Sequence, residues 1–189
     1  MTLAIRPATG DDLPAITAIY ADAVLNGTAT YEIDPPDLSE MRQRFAAITG
    51  AGQPFLMAVR GETIAGYAYA GPFRARPAYR FLVEDSIYVA PDQKRAGVGR
   101  ALLAHLIARV EALGYRQIVA IIGDEAGNPG SVGLHAALGF VHGGAMRGSG
   151  FKFGRWLDTA IMQLPLNGGA TTPPDPGSWP ERSFRLSRG

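Results

Sequence analysis

Gln93-Lys94-Arg95-Ala96-Gly97-Val98-Gly99-Arg100 is the stretch whose reading decides the fold. It follows an extended run, residues 81–90, and opens a long amphipathic one, residues 98–113. In the latter, Val98, Leu102, Leu103, Leu106, Ile107, Val110 and Leu113 recur at helical spacing, and Gly114 closes the segment. Beyond it, Ile118-Val119-Ala120-Ile121-Ile122 is apolar on both faces, as a strand covered on both sides is. Strand, helix and strand make one β-α-β crossover, with parallel strands and a right-handed connection expected. Gly97 and Gly99 let the backbone turn tightly and come close to a ligand. The first amides of the following helix have no partner inside it, and the helix dipole is positive there. Such a turn suits a pyrophosphate, and Lys94, Arg95 and Arg100 add positive charge. A Gly-x-Gly by itself also reads as a structural turn. The Gly-Lys-Ser/Thr ending of a Walker loop is missing, as is the third glycine of the dinucleotide fingerprint.

Outward from this unit the chain reads as strand-rich. Residues 3–7 form a short strand. Thr9 looks like a helix N-cap with Asp12 as its capping partner and Pro14 in the first turn. A second helix is expected from Ser39 to about Ile48, stopped by Gly50 and Gly52. Strands at 55–60 and 63–70 flank Gly61 as a hairpin. A helix at 129–138 and strands near 140–146 and 155–164 complete the body. The fold class is α/β, of mixed α+β type. A mostly antiparallel sheet of six to seven strands, flanked by about four helices, surrounds the single β-α-β unit. Residues 1–166 form one domain. Residues 167–189 carry Pro173, Pro174, Pro176 and Pro180 and read as a tail outside the core, a mobile terminus in its plainest reading.

Composition narrows the function. The 189 residues carry a formal net charge of +1, so nothing draws the chain to nucleic acid or acidic membranes. No apolar run spans a bilayer and the N-terminus lacks a signal-peptide pattern, so a cytoplasmic protein is expected. The absence of cysteine excludes disulfides, thiolate zinc sites and a cysteine nucleophile. His105, His135 and His142 lack metal-ligand spacing, so no metal is expected.

The segment from Ile87 to Leu103 resembles the acetyl-CoA motif of the GNAT superfamily, Gln/Arg-x-x-Gly-x-Gly/Ala. Lys94 stands in its first position, where it keeps a charge but loses the planar fork of arginine. Asn128 to Phe140 resembles the GNAT segment that ends in Leu-Gly-Phe. Three stretches, Ala18 to Val24, Tyr79 to Val89 and Phe151 to Asp158, narrow the resemblance further. They look like phosphinothricin acetyltransferases and their methionine sulfoximine or sulfone acetylating relatives, over residues 3–166. The resemblance implies an enzyme that transfers acetyl from acetyl-CoA directly to the amine of a small substrate, often as a homodimer.

Site expectations follow from that resemblance. Ile87, Tyr88 and Val89, then Lys94, Arg95, Ala96, Gly97, Val98, Gly99 and Arg100, then Asn128 and Ser131, would hold acetyl-CoA. Asn128 would approach the pantetheine arm. Glu84 would take the amine proton, and His135 would protonate the departing thiolate. An aliphatic amine is mostly protonated at neutral pH, so a base is needed. Without the family, Glu84 reads equally as a strand glutamate in a salt bridge, and His135 as a core or helix-surface histidine. Arg74 and Arg80 would grip an acidic group of the substrate, with Tyr31, Phe73 and Tyr79 as walls. Other GNAT acceptors, namely a polyamine, an aminoglycoside or a protein N-terminus, form the second reading. The basic loop at 74–80 disfavours the polycations. A non-catalytic CoA sensor is the third.

Overall fold

A computed structural model of the chain describes residues 2–188; Met1 and Gly189, the outermost positions of the two expected segments, lie outside the described residues. Its strands are β1 Leu3–Pro7, β2 Phe55–Arg60, β3 Thr63–Pro72, β4 Leu82–Val89, β5 Gln117–Gly123, β6 Val141–Lys152 and β7 Arg155–Pro165. Its helices are α1 Leu13–Asn26, α2 Leu38–Gly50, α3 Val98–Ala112, α4 Pro129–Ala136 and α5 Trp179–Leu186. The seven strands form one sheet in the order β1-β2-β3-β4-β5-β7-β6. Every neighbouring pair is antiparallel except β4 with β5, the two strands joined through α3.

Each sheet face carries its own core. On one, Val98, Leu102, Leu103, Leu106 and Val110 of α3 pack on Ala58, Ala68, Val83, Ile118 and Ala160, as the helical spacing requires. On the other, Leu13, Ile16, Tyr20 and Val24 of α1 and Met41 of α2 pack on Phe55, Met57 and Tyr67. Strand alternation therefore sends Val83 and Ile87 of β4 towards α3, and Tyr88 towards α1.

Local signals explain the boundaries. The Thr9–Asp12 pairing forms, with the Asp12 carboxylate accepting the Thr9 N–H at 2.7 Å, but it opens a short 3-10 turn that leads into α1. Asp12 is buried and is held by a two-pronged bond from Arg6, at 2.7 Å on each oxygen. Helix α2 starts one residue before Ser39, because the Asp37 carboxylate caps it by accepting the Glu40 N–H at 2.8 Å. Strand β6 extends well past residue 146 by absorbing register shifts between His142 and Gly144 and between Met146 and Gly150.

The C-terminal segment corrects the reading of a mobile terminus. Residues 167–188 pack against the body and include the fifth helix. Arg116, only 8% exposed, donates to the carbonyls of Gly169 at 2.8 Å and Thr172 at 2.7 Å. The Trp179 indole packs on the α3-side core, and its Nε1–H donates to the Ala51 carbonyl at 3.2 Å. The proline-rich composition hid this, because the anchors are single side chains spaced along irregular backbone. No helix among the described residues is long and apolar enough to cross a membrane.

Gly52 shows how closely the segment is seated. Its φ is +73°, and a Cβ there would lie 2.4 Å from the Trp179 ring. Gly52→Ala is expected to cost about 2 kcal/mol in urea unfolding, from left-handed strain and displacement of the indole. An unchanged unfolding midpoint would mean that Trp179 does not sit there.

Candidate active site

The β4–β5 ladder stops early. Leu82 pairs with Gln117, Val83 with Ile118 and Glu84 with Val119, and no later residue of either strand pairs across. Beyond Glu84 the two strands part, leaving free backbone N–H and C=O groups along both rims. A cavity of about 400 Å³ opens there. Glu84, Asp85, Ser86, Ile87 and Tyr88 of β4 and Ala120 to Gly123 of β5 line it, with Ser131 and His135 of α4. Tyr20, Thr30, Tyr31, Tyr69, Met146, Ser149 and Thr159 close the far side.

Glu84 lies half-buried at the point of divergence. Burial raises its carboxyl above the usual range, the neighbouring Asp85 charge adds to this, and Arg74 partly opposes it. Arg74 is exposed and stacks on the Phe73 ring at 4.9 Å. Asp85 points to the opposite face of β4, where it is 7% exposed.

His135 sits behind β4 with both ring nitrogens engaged. Nδ1 meets the Ser131 carbonyl at 2.8 Å and Nε2 meets Asp85 Oδ2 at 3.0 Å. A carbonyl only accepts, so Nδ1 carries a proton. A proton also lies between Nε2 and the carboxylate, since two bare lone pairs would repel. Burial disfavours the ring's charge, but the Asp85 hydrogen bond and charge together with the Ser131 carbonyl outweigh it, and the net shift is upward. Both ring nitrogens of His135 are thus engaged by protein groups, while the ring itself borders the cavity. The second oxygen of Asp85, Oδ1, is buried and finds no partner among the described residues. Sequence reading missed Asp85. The signal was a carboxylate at the apolar-facing position between Val83 and Ile87.

At the far end, α3 begins at the glycine turn. Gly97 adopts φ +80° and Arg95 φ +61°, and the first helical bond runs from Ala101 N–H to the Gly97 carbonyl. The amides of Val98, Gly99 and Arg100 are thus unpaired within the helix. A Cβ on Gly97 would meet nothing within 4 Å, so this glycine serves the turn and leaves open space in front of it. Lys94, Arg95, Ala96 and Arg100 are exposed around it, whereas Val98 is buried in the core. Arg60 braces the turn through the Ala96 carbonyl at 3.2 Å. An open amide-lined turn and a parted strand pair beside it fit a ligand with a pyrophosphate and an extended amide-bearing arm.

The other expected residues divide. Ser131 and Tyr31 line the cavity, and Tyr31 is fixed by its hydroxyl, 2.8 Å from Thr159 Oγ1. Asn128 is not on the wall. Its amide donates to the Gly123 carbonyl at 2.7 Å and to Thr28 Oγ1 at 3.1 Å, stapling the turn between β5 and α4. Phe73, Arg74, Tyr79 and Arg80 also lie off the wall: Phe73 packs edge-on to Tyr79 at 5.7 Å, Arg80 Nε donates to Glu181 at 2.9 Å, and Arg74, Tyr79 and Arg80 line a separate cavity of about 280 Å³ against the C-terminal segment. Arg80 thus pairs with a residue of the C-terminal segment, a partner distant in sequence. No cluster of metal-ligating side chains exists among the described residues.

A parted parallel strand pair, a helix N-terminus with unpaired amides and a half-buried carboxylate with an upward-shifted pKa fit an acyltransferase that uses a coenzyme A thioester. The chain belongs to the GNAT acetyltransferase family, whose acetyltransferase (GNAT) domain matches residues 5–161. It is 56% identical to a phosphinothricin N-acetyltransferase of Alcaligenes faecalis over 90% of this chain and 86% of that one. It is 46% identical to an L-methionine sulfoximine/L-methionine sulfone acetyltransferase of Pseudomonas paraeruginosa, over 88% of this chain and 96% of that one. A crystal structure of a GNAT phosphinothricin acetyltransferase from Sinorhizobium meliloti in complex with AcCoA superposes with a TM-score of 0.92. It is 52% identical and covers 96% of this chain and 97% of its own.

The Asp85–His135 pair predicts a pH dependence of stability. Its contribution is present below the unfolded histidine value, about 6.5, and fades as pH rises through the raised folded value. In Asp85→Asn the His135 ring is expected to titrate lower, as read by imidazole NMR. An unmoved titration would show that Asp85 does not hold the proton.

Proposed function

We propose that the chain acetylates the amine of a small amino-acid-like acceptor of the phosphinothricin, methionine sulfoximine or methionine sulfone kind, with Glu84 as the base. The observation that carries this is Glu84 itself: a half-buried carboxylate, raised in pKa, on the wall of the cavity where β4 and β5 part. Acetyl-CoA supplies the activated acetyl thioester. The unpaired amides at Val98, Gly99 and Arg100 receive its pyrophosphate, with Lys94 and Arg95 alongside. The free rim of β4 at Ile87, Tyr88 and Val89 offers backbone partners to its arm.

The incoming ammonium must lose its proton before nitrogen attacks the thioester. Glu84 takes it directly or through one water, which its raised pKa favours near neutrality. Arg74, within the field of Glu84, meets the acceptor's acidic group, so amine and acid are held on either side of one carbon. His135 holds a proton between Nε2 and Asp85, and this proton would pass to the leaving sulfur once Nε2 parts from Asp85. No cysteine is present to carry an acyl group, in keeping with direct transfer.

Glu84→Gln is expected to lower kcat/KM by about 10²–10⁴-fold while acetyl-CoA affinity stays intact. In the native enzyme, activity falls on acidification through the raised Glu84 value, and the variant loses that limb. Near-native turnover by Glu84→Gln would remove Glu84 from the mechanism. Loss of acetyl-CoA binding along with turnover would assign it a structural part.

The proposal includes a homodimer. Phe151, Phe153 and Trp156, on and beside the β6–β7 turn, are 57%, 58% and 69% exposed, an apolar patch that a second copy would cover. Light scattering is expected to give a dimer for the native chain and a monomer for Trp156→Glu. A native monomer would contradict this.

A further inference from the structure

Residues 167–188 reach three separate parts of the body, and each contact is specific. At the end of α3, Asn167 Nδ2 donates to the carbonyls of Glu111 at 2.8 Å and Tyr115 at 2.9 Å, and the Trp179 N–H donates to Leu113 at 2.9 Å. The Glu111 carbonyl also accepts the Gly114 N–H at 2.9 Å, so these bonds add to the closure of the helix end. At the α3–β5 turn, Gly114 has φ +86°, and a Cβ there would stand 2.6 Å from Ser178. The third contact is the one nearest the reacting groups. Arg80 lies with its guanidinium carbon 4.4 Å from the Phe81 ring and 4.7 Å from the Phe184 ring of α5. Its Nε–H donates to Glu181 of α5 at 2.9 Å.

The loop from Phe73 to Arg80 has little else to hold it. Its backbone bonds are local, Tyr79 to Arg76 and Arg80 to Pro77. Residues 74–79 are exposed, and Arg74 stacks on its own neighbour, Phe73, at 4.9 Å. Arg80 is the side chain through which the loop is tied to another element. It stands four residues before Glu84 on the same run of chain. Released, a second mobile guanidinium would compete with Arg74 for the acceptor's acidic group.

We propose that the C-terminal segment is a specificity-determining brace of the acceptor site. Glu181 and Phe184 hold Arg80 away from the acceptor and fix the loop so that Arg74 is the guanidinium that meets it. This rests on the amino-acid acceptor reading above. Glu181 and Phe184 are positioning residues, since both act through Arg80. The brace predicts that acceptor affinity depends on residues outside the span matched by the family domain, which ends at residue 161.

The test uses the full chain with Glu181→Gln and Phe184→Ala. KM for phosphinothricin, KM for acetyl-CoA, kcat and Tm are measured together with the rate of tryptic cleavage after Arg74 and Arg80. The brace predicts an acceptor KM raised about tenfold, the scale of one charge-assisted bond lost. It also predicts faster cleavage in the loop, with kcat and KM for acetyl-CoA unchanged. The exchanged pair Arg80→Glu with Glu181→Arg restores protection at Arg74. Native acceptor KM and native protection in both variants would overturn the proposal. So would a fall of kcat and both affinities in step with Tm, which marks a general loss of structure. If the native chain ignores phosphinothricin and its analogues, the acceptor reading fails, and loop cleavage alone still decides whether the brace exists.

Discussion

The early end of the parallel ladder between β4 and β5 is the constraint on which the rest depends. Three paired positions hold the strands together up to Glu84, and beyond them each strand keeps only its outer partner, β3 or β7. Free backbone groups inside a protein are costly unless something pairs with them. Here they border a cavity, and an extended arm rich in amides is the kind of ligand that would satisfy them. The same divergence sets the chemistry. It opens the sheet where alternation places Glu84 on the face covered by α1 and α2, and Asp85 on the face covered by α3 and α4. Adjacent carboxylates thereby take different surroundings: one is half-buried with a raised pKa, and the other is paired with His135.

Much of this was legible in the sequence because it rests on short-range patterns. The period of Leu102, Leu103, Leu106 and Val110 specifies α3 and its buried face. The two-sided apolar run at Ile118 to Ile122 specifies a covered strand. Gly97 marks the turn, and it does adopt a left-handed conformation. What escaped was whatever depends on contacts distant in sequence. Thr30, Ser149 and Thr159 reach the cavity from three separate segments, and none carries a local mark. The Asn128 amide N–H groups bond Thr28 and Gly123, partners that no local pattern marks.

Arginine pairing was the hardest part to read. Arg74, Arg76 and Arg80 look equivalent in a short basic loop, and charge alone cannot rank them. The structure separates them through partners far along the chain: Arg80 is occupied by Glu181, while Arg74 has no ion-pair partner among the described residues. The C-terminal segment matters for the same reason. Its prolines and glycines prevent regular structure over 167–177, yet Asn167, Trp179 and Glu181 each answer a specific need of the body. Those needs are carbonyls at the end of α3, a glycine seat at residue 52 and the Arg80 guanidinium. Lack of regular secondary structure did not mean lack of order.

The central claim is that the cavity at the divergence acetylates an amine borne by a small acidic acceptor. The most direct measurement is coenzyme A release from acetyl-CoA by the native chain across a matched set of amines. The set comprises phosphinothricin, methionine sulfoximine, methionine sulfone, spermidine, kanamycin and a short peptide. The account predicts saturable turnover with the first three and little with the rest. Turnover confined to the polycations or the peptide, with the first three silent, would contradict it.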